Sequence, residues 1–97
     1  METKANVGIL TVNLFLGASQ SLKDKRMVVK SLKDKVAAKF NVSVAEVDGQ
    51  DKWQVATLAF AMVNADHRHI EQSLQNILSL IESNYELEIT DHEIELL

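Results

Sequence analysis

Ninety-seven residues, 46% apolar and 25% charged, suit one globular domain over residues 1–97 and argue against a disordered chain or one with two cores. No apolar run nears the ~20 residues of a membrane helix, and METKANVGIL lacks a basic leader followed by a hydrophobic stretch, so a cytoplasmic protein is expected. Cysteine is absent, which excludes disulfides and thiolate chemistry, while fourteen acids against ten bases give a net charge of −4 that is unevenly spread.

Val7 to Leu16 alternates as a strand, with Gly8, Leu10, Val12, Leu14 and Leu16 on one face and Val7, Ile9, Thr11, Asn13 and Phe15 on the other. Gly17 to Gln20 breaks the pattern as a loop. Ser21 then suits a helix N-cap, with Asp24 reaching back to it and favoured by the helix dipole. Leu22, Val29, Leu32, Val36 and Phe40 recur at helical spacing and predict a core face for a helix ending near Phe40. The pentamer SLKDK occurs at 21–25 and 31–35, but the offset rotates the copies by roughly 80°, so they share no face.

Asn41 to Asp48 is a second strand, rich in β-branched valine. Asp48 to Asp51 forms a turn, and Trp53 to Asn64 a third strand with Ala56, Leu58, Phe60 and Met62 on one face. Asp66 caps a second helix from His67 to about Asn84, with Ile70, Leu74, Ile77, Leu78 and Ile81 inward. Glu86 to Leu96 is the last strand. Its inward positions jump from Ile89 to Ile94, an odd step that predicts a bulge near Asp91–His92. The order strand, helix, strand, strand, helix, strand specifies an α+β, ferredoxin-like βαββαβ sandwich, a four-stranded antiparallel sheet with both helices on one face.

Two surfaces stand out. The stretch 21–40 holds seven of the ten bases against two acids, a formal +5 on an otherwise acidic chain. Lys23, Arg26, Lys30 and Lys33 form a stripe, with Lys25 included among the outward bases and Lys35 and Lys39 flanking. Such a one-sided cationic helix suits a polyanion, with Ser19 and Ser21 and the helix-start amides as further phosphate donors. The competing reading is a solvated, solubilising face.

The second surface is the sheet face away from the helices, where Ile9, Phe15, Trp53 and Val55 sit among polar residues. It admits a homo-oligomer interface, base stacking or plain exposure. Base stacking lacks the Gly-aromatic-aromatic strand, since the third strand reads ATLAFAMV. The acidic run from Glu82 to Glu95 reads as a solvated edge that deters strand pairing.

Catalysis has little support. His67 and Glu71 share a helix face but lack a third ligand partner in sequence, so no metal is expected. Ser19 and Ser21 have no base at diagnostic spacing. Gly8, Gly17 and Gly49 are too far apart for a phosphate-cradling loop. No cofactor, small-molecule substrate or enzyme activity is expected.

Three blocks, Ser19-Gln20-Ser21-Leu22-Lys23-Asp24-Lys25-Arg26, Phe40 through Val47 (FNVSVAEV) and Asp51-Lys52-Trp53-Gln54, resemble the DUF503 family of small bacterial proteins. The likeness runs from about Val7 to Leu96. It implies a ferredoxin-like fold and, through the family's association with translation genes, a role near RNA or the ribosome; it implies no catalytic residues. The family often has a basic residue after Trp-Gln, where this chain has Val55. The expected function is therefore a non-enzymatic binding protein contacting structured RNA through the first helix. The alternative is a self-associating interaction module.

Overall fold

The computed structural model describes residues 4–97. The elements are β1 (Asn6–Phe15), α1 (Leu22–Lys39), β2 (Ser43–Asp48), β3 (Val55–Asn64), α2 (His67–Glu82) and β4 (Glu88–Leu96). Every expected element is present, with ends within two residues of expectation. The second helix stops short because Ser83 caps it and Asn84 starts a turn, its Oδ1 accepting from the Glu86 amide at 2.9 Å.

The sheet is antiparallel throughout in the order β2-β3-β1-β4, so β1 and β3 are central and β2 and β4 are edges. This is the ferredoxin-like topology. Its core forms where the period-2 inward set of the strands meets the 3.6-period faces of the helices. Leu10, Val12 and Leu14 of β1 and Leu58 and Phe60 of β3 pack with Val29, Leu32 and Val36 of α1 and Ile70, Leu74, Ile77 and Ile81 of α2 in one buried cluster. Both helices therefore cover the same sheet face. Each such side chain stabilises the fold by roughly 1.5–3 kcal/mol relative to exposure.

Gly8 is needed for that closure. A β-carbon there would run into the Ile70 side chain of α2 and sit 3.1 Å from Leu74 Cδ1.

The slip in β4 is a bulge at Thr90. Asn13 pairs with Asp91 and Leu14 with Ile89, leaving Thr90 unpaired, and its Oγ1 donates to the Asn13 carbonyl at 3.2 Å. The bulge lies one residue before the expected Asp91–His92. A second bulge sits at Val47, between the pairs Glu46–Leu58 and Asp48–Thr57. Among the described residues, no helix is long and apolar enough to cross a membrane.

A cationic helix face and an uncharged sheet face

The start of α1 is set locally. Ser21 Oγ accepts from the Asp24 amide at 3.0 Å, capping one orphan donor of the first turn. Asp24 Oδ2 in turn accepts from the Gln20 amide at 3.0 Å, one residue earlier than a strict capping box.

The face of α1 that meets the core is Lys25, Val29, Leu32 and Val36, at spacings of four, three and four. Lys25 is a correction to the sequence reading. Its side chain is 0% exposed and points under the helix, so it cannot contact an external phosphate. Its Nζ donates to the Gly49 carbonyl and, at 2.9 Å, to the Val55 carbonyl, and lies 2.8 Å from Glu46 Oε2. Three acceptors thus surround a group with three protons. Glu46 reaches this place because its register partner is Leu58, on the helix-covered side of the sheet. Its buried Oε2 makes no aligned hydrogen bond, so the contact is an ion pair rather than a directional bond. Lys25 ties the first turn of α1 to both ends of the β2–β3 turn.

The two serines are both held locally. Ser19 is 5% exposed, so little of it is presented to solvent, and its carbonyl accepts from Gln54 Nε2 at 3.3 Å. Ser21 sets the helix start, as expected, and its hydroxyl is engaged there. A cleft of about 390 Å³ opens beside this helix start, lined by Asp24, Met27, Ser31 and Glu86. Two carboxylates on its wall disfavour an anion.

What remains of the cationic set is continuous. Lys23, Arg26 and Lys30 are exposed and Lys33 is half-buried, on steps of three, four and three along one side of α1. Lys35 and Lys39 are exposed beyond them. Lys30 pairs with Asp34 at 2.8 Å, and this hydrogen bond and charge hold its pKa above the ordinary lysine value. Among the described residues, Lys23, Arg26 and Lys33 form no ion pair.

On the uncovered sheet face the four apolar residues divide into two places. Phe15 and Val55 are direct partners, each 39% exposed, and Trp53, 55% exposed, shares a shallow recess with Val55 just ahead of β3. Ile9 pairs with Ala61, six residues along β1 from Phe15, or roughly 20 Å. Ile9 therefore does not join the other three, and its apolar neighbours are Val7 and Val63. Between the two ends lie Thr11, Asn13, Thr57 and Ala59, and Thr57 Oγ1 bonds Asn13 Oδ1 at 3.0 Å. Glu88, Asp91, Glu93 and Glu95 of β4 pair with Phe15, Asn13, Thr11 and Ile9 and line one edge of this face.

No group of three or more potential metal ligands gathers among the described residues, and His67 and Glu71 stay solvent-exposed.

Residues 7–94 match a family described as "Protein of unknown function (DUF503)". The chain is 36% identical over 84 residues to "Uncharacterized protein YlxP" of Bacillus subtilis (strain 168), covering 87% of this chain and 91% of that protein. Among solved structures it resembles the de novo designed protein Foldit4, with a TM-score of 0.55 at 18% identity, covering 97% of each chain. It also resembles SnoaB, a cofactor-independent oxygenase from Streptomyces nogalater, with a TM-score of 0.51 at 9% identity, covering 95% of this chain and 90% of that one. At these identities the two structures share the fold alone.

Proposed function

The chain belongs to the DUF503 family, and we propose that it is a non-enzymatic cytoplasmic protein that binds structured RNA, as on the ribosome, through the outer side of α1. The observation that carries this reading is the stripe of exposed Lys23, Arg26 and Lys30 with half-buried Lys33, beside which α1 places one carboxylate, Asp34. The stripe spans eleven residues of helix, ten steps or about 15 Å, enough to meet several backbone phosphates. Bases on a regular helix surface supply charge and register, and little sequence choice.

The acidity of the rest of the chain supports an oriented encounter. Outside 21–40 the formal charge is −9, so the molecule presents α1 to a polyanion and turns its other surfaces away. The buried Lys25 contributes by fixing the helix on the sheet, and not by touching RNA.

The test is fluorescence anisotropy with a labelled structured RNA at two salt concentrations. The reading expects binding that weakens steeply with salt and is lost when Arg26 and Lys30 are both changed to Glu. Binding that ignores both salt and this double reversal contradicts it.

A further inference from the structure

The uncovered face of the sheet has the anatomy of an interface. On the two central strands β1 and β3 this face bears no charged residue. Thr11, Asn13, Thr57 and Ala59 occupy its middle, Ile9 and Ala61 lie toward one end, and Phe15 and Val55 close the other. A sheet face left to water alternates to polar residues. Here the charge is pushed to the rim, in the acidic column of β4, the arrangement of a charge-depleted interface core with a polar surround. Of the three polar side chains at its centre, Thr11, Asn13 and Thr57, the last two bond each other.

We infer that this face docks on the same face of a second copy, forming a two-fold sheet-on-sheet dimer whose axis runs parallel to the strands. Two observations select that occupant and that axis. The first is area. Four strands about 4.8 Å apart, three of them some 30 Å long and β2 about 20 Å, present roughly 500–600 Å² per copy in projection, so two copies bury about 1,000 Å² or more, which reaches the lower limit of a biological interface.

The second is charge. An axis across the strands lays β4 over β4 and opposes two columns of four acids. An axis along the strands lays β4 over β2, whose same-face residues are Ser43, Ala45 and one acid, Asp48, so each acidic column meets a single carboxylate, at the level of Asp91, instead of four. It also stacks the Phe15–Val55 end on its own mate, closing the assembly at two copies. The α1 helices then lie on opposite outer surfaces, so the dimer and the proposed RNA contact use separate faces.

Light scattering measures the mass, and a spin label at Lys52→Cys in this cysteine-free chain measures the geometry. The inference expects about 22 kDa at micromolar concentration, twice the 10.9 kDa chain. It expects a label-to-label distance below about 25 Å, because both β2–β3 turns sit at the same end of the stack. A 10.9 kDa particle at high micromolar concentration overturns it, as does a dimer whose labels lie beyond about 35 Å, the signature of the crossed axis. Thr11→Arg, with circular dichroism unchanged, is expected to give monomers. Ala59→Glu serves the same purpose should Thr11→Arg unfold. A folded variant of either kind that stays dimeric refutes the use of this face. RNA binding by such a monomer is unaffected, which separates this result from that of α1.

Discussion

The Lys25 ammonium lies 2.8 Å from the Glu46 carboxylate, beneath the first turn of α1 and out of reach of solvent on the lysine side. Two backbone carbonyls, of Gly49 and Val55, complete the shell of the ammonium. A buried lysine is costly to desolvate, so this pair persists because two carbonyls take hydrogen bonds from the ammonium and the carboxylate balances its charge. The reward is specific: one side chain joins a helix start to a hairpin turn twenty-four residues away.

Lys25→Met removes the charge and keeps the volume. It leaves Glu46 Oε2 without its counter-charge and two carbonyls without their donor, so the expected loss is about 3 kcal/mol in urea unfolding. Lys25→Met with Glu46→Gln should recover part of that loss, because the orphaned carboxylate is gone. A double-mutant cycle should give a coupling of roughly 1–3 kcal/mol. Additive effects would mean the pair is not an energetic unit.

Gly8→Ala tests the packing of β1 on α2. Its new methyl would collide with Ile70, a buried, stiff, β-branched residue that has little room to yield. Overpacking of this kind costs about 1–3 kcal/mol, read as a lower urea midpoint with an unchanged slope. A neutral result would show that α2 can slide.

Ser21→Ala removes the N-cap of α1 and should cost about 1 kcal/mol. Since Ser21 has no place in the proposed phosphate contact, RNA affinity measured on the folded variant should stay within a factor of about two; one unit of tenfold is 1.4 kcal/mol. A much larger loss of affinity at full folding would return the helix start to the binding surface.

Lys30 and Asp34 give a prediction about pH and charge. The pair raises the lysine pKa, so any stability it adds is complete below the ordinary lysine value and is lost as pH rises through the raised one. The pair is fully exposed and screened, so Asp34→Asn should leave the melting temperature at neutral pH unchanged. The same change frees Lys30 and removes the one acid beside the stripe. RNA affinity at low salt should therefore rise a few-fold. A fall would mean Asp34 itself takes part in recognition.

The fold was legible because its periodicities are clean. Leu10, Val12, Leu14 and Leu58, Phe60, Met62 alternate without interruption, and Ile70, Leu74, Ile77 and Ile81 repeat at helical spacing. Even the bulge in β4 was visible in the odd step from Ile89 to Ile94, and the structure moves it by one residue to Thr90.

Lys25 was not legible, although the signal existed. It stands four residues before Val29 on the core face, where Leu22, half-buried in the structure, was expected. A lysine is ordinarily placed outside, and the acceptors that overrule this lie 21 to 30 residues away, brought close only by the β2–β3 hairpin. The burial of Ser19 was equally hidden, since its carbonyl meets Gln54 from the segment just ahead of β3, 35 residues away. On the sheet face, residue type grouped Ile9 with Phe15, while strand geometry holds them apart.

The central claim is that α1 meets phosphates through Lys23, Arg26, Lys30 and Lys33. The most direct measurement is the slope of log affinity against log salt for a structured RNA, for the unaltered chain and for Arg26→Ala with Lys33→Ala. The account predicts a slope near −3 for the unaltered chain, and one shallower by about two for the double variant, with each lost phosphate contact removing roughly one unit. Identical slopes for the two proteins, or no RNA binding at 50 mM salt, would contradict it.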